Sequence, residues 1–292
     1  MTTFFDFSPA ALAKLAQTDV ARALEEDLGS ADLTAGLVDP TRRAKATIIA
    51  REAAVICGQA WVQAAFQQVD PAAEIIWHVS EGHRCQADQV ILEVHGLAHA
   101  LLTAERTALN FLQLLSAVAT KTSDYVQAIR EVPSAHASIV DTRKTLPGLR
   151  LAQKYAVRTG GGVNHRLGLY DAVLIKENHI AAAGGVAAVL RRAAQVAPAA
   201  RFVEIEVETL AQLQEALDAG ATMVLLDNMG LAQLHEAVHL NAGRAQLEVS
   251  GGVNLSTLRA IAATGVDRIS IGTLTKDIKA IDFSMRFAPT PV

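Results

Sequence analysis

The chain has 292 residues, 51% of them hydrophobic and 19% charged, so it can bury a large core and is neither disordered nor fibrous. Its 26 Lys and Arg against 30 Asp and Glu give a formal charge of -4, which removes any overall attraction to nucleic acid or to an anionic membrane. Only 4% of the residues are aromatic, and the abundant small aliphatic residues suit helices packed on a sheet better than an aromatic nucleic-acid platform.

The first residues, MTTFFDFSPAAL, lack the basic and long apolar segments of a secretory signal, and the apolar stretches are too short for a bilayer span. Cys57 and Cys85 stand far apart with no Cys-x-x-Cys, which is compatible with a reducing compartment. The expectation is a soluble cytoplasmic protein without nucleic-acid or membrane partners. Residues 8–28 read as an amphipathic helix from Ser8 to Gly29. Between 44 and 99 lie the strand pieces AKATIIA, AAVICG, EIIWHV and QVILEVHG around a helix, GQAWVQAAFQQV, with HVSEGHRC alternating as a half-exposed strand. A long helix is predicted over 103–131.

From Ser138 the rhythm becomes strand, loop, helix. The predicted strands are ASIVD, DAVLIKE, RFVEIEV, ATMVLLD, AQLEVS and DRISIG, with helices near 147–160, 184–197, 209–219, 231–242 and 254–264. These strands read as apolar runs, as in a parallel sheet buried on both faces. Glu206, Asp227, Ser250 and Gly272 end successive strands 21, 23 and 22 residues apart, the length of one βα unit. Such units close into a (β/α) barrel with its site at the C-terminal strand ends. No Gly-x-Gly-x-x-Gly follows an early strand, which disfavours a doubly wound dinucleotide fold.

The residues after each strand carry the chemistry. Thr142, Arg143 and Lys144 follow one, Lys176 to His179 the next; then come Glu206, Asp227-Asn228, Ser250-Gly251-Gly252 and Gly272-Thr273. Residues 142–180 hold seven Lys or Arg against two acids, a local +5 in an acidic protein, which implies a small and strongly anionic ligand. Arg150, Lys154 and Arg158, four apart, read as a solvated helix face, whereas Lys176 among apolar neighbours reads as buried and in need of an anionic partner. Glycine turns after the last two strands suit backbone binding of phosphate. The loop TGGGVNHR is either a flexible donor-rich segment or a helix end followed by a bend. Glu204, Glu206 and Glu208 either all point outward or line the barrel, depending on which strand face is inside. Facing the cationic rim, Glu206 and Asp227 suit Mg²⁺ or a sugar, or stabilise developing positive charge.

The stretch DTRKTLPGLRLAQKYAVRTGGGVNHRLGLYDAVLIKENHI (141–180) strongly resembles the core of the quinolinate phosphoribosyltransferase family. EEDLGSADLTAGLV, ERTALNFLQLLSAVAT, EIEVETL, LLDNM, SGGVN and ISIGTLT stand in family order along the whole chain. The resemblance implies an α/β fold: an N-terminal α+β sandwich over 1–115 and an incomplete (β/α) barrel over 116–274, with a tail, 275–292, packing back on the first domain. It implies a dimer or a hexamer of dimers that converts quinolinate and phosphoribosyl pyrophosphate, with Mg²⁺, into nicotinate mononucleotide, pyrophosphate and CO₂ in de novo NAD biosynthesis. By matched position Arg143, His165, Arg166 and Lys176 contact the quinolinate carboxylates, with Lys144 in the same pocket and Arg106 reaching in from the neighbouring subunit. Glu206 and Asp227 hold ribose and metal; Ser250, Gly251 and Gly272 cradle the 5′-phosphate. Lys144, Lys176, Glu206 and Asp227 are the implied catalytic set. A Schiff-base lyase using Lys176 is the rival on the same barrel, one that would be sensitive to borohydride and would not need Mg²⁺.

Overall fold

In the computed structural model, residues 5–288 are described, and the chain divides into two compact units. The first holds residues up to 121, with 151–160 and those from 277 onward. Its opening helix α1 (Pro9–Leu28) begins where Ser8 Oγ accepts the Ala11 N–H at 3.3 Å, and it stops at Gly29, whose φ of 53° a side chain would strain. There follow β1 (Arg43–Ala50), β2 (Ala54–Val55), α2 (Gln59–Val69), β3 (Glu74–Trp77), β4 (Arg84–Cys85), β5 (Val90–Leu97) and α3 (Ala98–Arg130). HVSEGHRC is not the alternating strand its pattern predicts: Ser80 to His83 close a turn, with His83 N donating to Ser80 O at 3.1 Å and Gly82 at φ 77°. Only Arg84–Cys85 pairs, against β2. The turn chemistry of Ser-Glu-Gly overrides the alternation.

The unit's main sheet is antiparallel in the order β12-β1-β5-β3, where β12 (Phe283–Phe287) comes from the chain's tail and sets Met285 opposite Ile48. The last four residues of the tail expected over 275–292 lie outside the described residues. Helix α4 (Arg150–Thr159) contributes most of its length here, packing the Tyr155 ring tilted against Trp61 with centroids 5.8 Å apart. Residues 151–160 therefore count with the first unit, although the sequence placed them within the barrel segment. The predicted solvated stripe on this helix also fails. Lys154 is fully buried, Arg150 donates to Thr145 Oγ1 at 3.1 Å, and Arg158, though exposed, lies over the Phe7 ring.

The second unit, residues 122–150 and 161–276, is built on six parallel strands. In chain order these are β6 (Ser138–Val140), β7 (Val173–Ile175), β8 (Val203–Val207), β9 (Met223–Asp227), β10 (Gln246–Ser250) and β11 (Arg268–Ser270). Between them stand α5 (Glu177–Ala183), α6 (Val186–Val196), α7 (Leu210–Asp218), α8 (Leu231–Asn241) and α9 (Leu255–Ala262), and α10 (Thr273–Lys276) follows the last strand. All six predicted strands form. Helix α5 lies outside the helices that the sequence predicts; it is short, and its start is fixed by the Lys176 backbone N–H donating to His179 Nδ1 at 3.0 Å. The sheet order is β6-β11-β10-β9-β8-β7, so the two strands consecutive in sequence stand at opposite edges and no ladder joins them among the described residues. This is the incomplete barrel.

Strand alternation sorts the residues into two layers. Ile205, Val207, Val224, Leu226, Leu247, Val249 and Ile269 pack with the helices in one apolar cluster. The other face carries Glu204 and Glu206, Leu225 and Asp227, Glu248 and Ser250, Arg268 and Ser270. The glutamates of β8 thus take the inward alternative at 204 and 206, while Glu208 is exposed beyond the strand.

The chain reaches this inner face through segments flanking α4, and two buried aspartates shape them. Asp141, at the end of β6, accepts the His165 N–H at 2.8 Å and the Asn164 side-chain amide at 2.7 Å. Asp171 accepts the N–H groups of Leu167 and Gly168 at 2.8 and 2.9 Å. TGGGVNHR is therefore a helix end and bend, with Gly161 at φ 88° and Val163 bridged to Val140, rather than a free loop. Replacing Asp141 by Ala strands the buried His165 N–H and the half-buried Asn164 amide, and urea unfolding should show a loss of roughly 1–3 kcal/mol.

Candidate active site

At the C-terminal ends of the strands two adjoining cavities open in the second unit. One, of about 450 Å³, is lined by Thr142, Lys144, Lys176, Glu206, Asp227, Ser250 and the glycine turns 251–252 and 272. The other, of about 340 Å³, shares Lys144, Lys176 and Glu206 and adds Arg143, His165, Arg166 and Glu248. Rim residues from Thr142 to Gly272 thus converge because every strand points the same way.

Ten of the eleven predicted site residues line these cavities. Lys176, at the end of β7, meets Glu206 on the neighbouring strand at 3.0 and 3.3 Å. Its side chain is 45% exposed, so the expected burial is not found. The flanking valine, leucine and isoleucine serve the strand, and the ammonium emerges at the pocket mouth. Asp227 lies one strand farther on; Leu225 opposes Glu206, so the two carboxylates share the inner face at successive levels. Asn228 Nδ2 donates to Asp227 Oδ2 at 2.8 Å.

The glycine turns are held by close backbone approach. Gly251 has φ 105°, and a Cβ built there would fall 2.1 Å from Asn228 Oδ1. At Gly272 a Cβ would stand 3.0 Å from Lys144 Cδ, so the missing side chain makes room for the lysine stem. Lys144 is further positioned by its N–H to Thr142 Oγ1 at 3.0 Å and by its carbonyl, which accepts Thr275 Oγ1 at 2.8 Å.

In the smaller cavity Arg143 Nε is buried without a hydrogen-bond partner. Burial and the neighbouring Arg143 charge both depress the Arg166 pKa. Two guanidinium groups held near one another, one with an unused donor, are suited to an acid with two carboxylates. Below them His165 Nε2 meets Glu204 Oε2 at 2.7 Å and Glu248 Oε1 at 3.6 Å, and Arg268 Nε closes on Glu248 Oε2 at 2.7 Å. Glu248 and Arg268 were missed in the sequence, although Glu248 stands two residues before Ser250 just as Glu204 stands two before Glu206. That spacing is the signal for the same strand face.

Arg106 is the one predicted site residue placed elsewhere. It lies on α3 in the first unit, with its side chain exposed.

Burial pushes the Glu204 pKa up to about 7, with the Glu206 charge adding to the rise and Arg268 and Arg166 opposing it. Burial raises Glu248 as well, reinforced by the charge on Glu204. The folded protein therefore holds the Glu204 proton in the range where the unfolded chain, at an ordinary 4.5, has released it. The stabilisation from this group is complete below pH 4.5 and is lost as pH rises through about 7. Thermal unfolding between pH 5 and 7.5 should show a steeper fall in Tm for the wild type than for Glu204→Gln.

Comparison with known proteins places these features. Residues 32–116 match the family "Quinolinate phosphoribosyl transferase, N-terminal domain" and residues 118–286 its C-terminal domain. The chain is 41% identical over 260 residues to a probable carboxylating nicotinate-nucleotide pyrophosphorylase of Bacillus subtilis, covering 89% of each chain. It is 40% identical to a decarboxylating quinolinate phosphoribosyltransferase of Nicotiana glauca, covering 90% of this chain and 80% of that one. Among solved structures, the nicotinate-nucleotide pyrophosphorylase from Francisella tularensis superposes with a TM-score of 0.92 at 42% identity, over 99% of this chain and 100% of that one. No single helix among the described residues is long and apolar enough to cross a membrane.

Proposed function

Because the chain belongs to the quinolinate phosphoribosyltransferase family, we propose that it transfers the phosphoribosyl group of phosphoribosyl pyrophosphate to quinolinate with decarboxylation. The products are nicotinate mononucleotide, pyrophosphate and CO₂, a step of de novo NAD biosynthesis. The observation that carries this reading is the pair of guanidinium groups, Arg143 and Arg166, in a pocket where Arg143 Nε is buried and unpartnered. Quinolinate brings two adjacent carboxylates to such a pair, with Lys144 and Lys176 adding charge at its margin.

The larger cavity supports the phosphoribosyl side. Ser250, Gly251 and Gly272 present short side chains and open backbone to the 5′-phosphate. Glu206 and Asp227 face the anomeric carbon, where loss of pyrophosphate leaves positive charge on the ring, and their carboxylates stabilise it. The same two hard oxygen donors fit Mg²⁺, which supplies charge neutralisation to the pyrophosphate when bound. Attack by the pyridine nitrogen makes a pyridinium, and that ring accepts the electrons left at C2 when CO₂ departs. No side chain has to become covalently attached, which separates this reading from an imine-forming lyase at Lys176. Two free buried cysteines support a cytoplasmic location.

The reading includes a homodimer, or a hexamer of dimers, with Arg106 supplied to the partner's pocket. Its support is the surface around that residue. Leu33 and Leu37 are 91% and 84% exposed, and Leu102 lies one helical turn before Arg106 on α3 with 39% exposure. Asp32 Oδ2 accepts Thr103 Oγ1 at 2.7 Å, which ties the leucine-bearing loop to the helix. Apolar surface beside a pocket-bound arginine suits a shared interface.

With quinolinate, phosphoribosyl pyrophosphate and Mg²⁺, the purified protein should release CO₂ and nicotinate mononucleotide in equal amounts and give no product from nicotinic acid. Arg143→Ala should raise the KM for quinolinate about 30-fold or more, the cost of leaving one side of a buried charge pair unmet. Turnover of nicotinic acid, or silence with a folded protein that binds phosphoribosyl pyrophosphate, would overturn the assignment. For the shared site, Arg106→Ala mixed with Lys176→Ala should regain about a quarter to a half of the activity in subunit-exchanged dimers, since one intact pocket reforms per heterodimer. Heterodimers shown to form but without activity would count against it.

A further inference from the structure

His165 is 5% exposed, and both of its ring nitrogens are engaged within the protein. The backbone N–H of Arg166 donates to Nδ1 at 2.7 Å, so Nδ1 must present a lone pair. A neutral ring with its lone pair at Nδ1 carries its proton on Nε2, which faces Glu204 Oε2 at 2.7 Å. A second proton on Nδ1 would set two N–H groups head to head across 2.7 Å in a buried site. The ring's orientation is fixed by Phe202, which packs edge-on with centroids 5.2 Å apart.

Arg268 pairs with Glu248 through Nε at 2.7 Å, and the other Glu248 oxygen is 3.6 Å from Nε2 of the ring. The ring is thus a strut between the Arg166 backbone and the inner face of β8.

We propose that His165 is a positioning residue: a neutral Nε2–H imidazole that clamps the backbone of Arg166 to Glu204 and leaves contact with the acid substrate to the two guanidinium groups. This rests on the function proposed above and departs from the contact role that the family resemblance implies for His165. Arg166 immediately follows the clamped residue, so its guanidinium is aimed by a short covalent path from a fixed ring, and a loosened ring blurs the pocket without removing a charge.

Protein labelled with ¹⁵N in its histidine rings reads the tautomer directly, before and after quinolinate is added. One protonated and one unprotonated ring nitrogen are expected at pH 7, with the proton on Nε2, and the pattern should persist at saturating quinolinate. An imidazolium, an Nδ1–H tautomer, or a change of tautomer on binding would overturn the assignment. So would a stoichiometric metal on Nε2, because His165, Glu204 and Glu248 offer donor atoms within 4.8 Å of one another. Kinetics supply the second readout. Glu204→Gln keeps an oxygen for the Nε2–H and should leave KM for quinolinate within about threefold, whereas Glu204→Leu should raise it about tenfold or more with a smaller change in kcat. Equal damage from both variants would sink the clamp. If calorimetry finds no binding of quinolinate, it is the proposed function that fails, and the tautomer of the free protein still decides the state of His165.

Discussion

The second unit depends on one constraint: a parallel sheet buried on both faces has carboxylates on one of them. Glu204 and Glu248 are fully buried on the inner face, and each would cost several kcal/mol if left ionised and alone. Their answer is a cross-strand layer, with Arg268 on Glu248 from the adjacent strand and His165 on Glu204 from the segment that enters over the open edge. That layer forms the floor of the cavity. Because its members are bound to one another rather than to solvent, the side chains above it stand on a fixed base. Asp141 and Asp171 extend the same logic to the backbone, converting a glycine-rich bend into a shaped one by accepting four N–H donors.

The rim was legible in the sequence because it depends on position alone. A residue that ends a parallel strand comes to the same edge as every other strand end, so Lys176, Glu206, Asp227, Ser250 and Gly272 could be placed together without knowing any distance. The outer layer was legible for a similar reason, since Ile205, Val207, Val224 and Leu226 alternate with their inward neighbours. Strand direction and period are local properties.

What escaped were partnerships between residues distant in sequence. The expectation that Lys154 is solvated rested on helical spacing, and spacing says nothing about what covers that face; the side chain is fully buried. Lys176 failed in the opposite sense: apolar neighbours in the chain predicted burial, but a strand end releases a long side chain into the cavity. Glu248 shares with Glu204 its spacing from a strand end, but its pairing with Arg268 follows only from the register that sets the two side by side. Alternation in HVSEGHRC lost to a turn for a local reason, the glycine at 82, which the sequence contains but which a period-two reading passes over. The shape of the fold therefore follows from short-range pattern, whereas the charge state of its interior follows from which strands are neighbours.

The ion pair between Lys176 and Glu206 gives the pocket a counterion of its own. An incoming anion does not meet a bare ammonium; it must exchange places with a carboxylate already 3.0 Å away. A singly charged ion gains little from that exchange, since one contact is broken for each one made. A ligand that delivers negative charge to Lys176 and positive charge to Glu206 gains on both sides. The resting pair therefore sets a Coulombic cost that a single small anion offsets less fully than a reactant separating charge between Lys176 and Glu206.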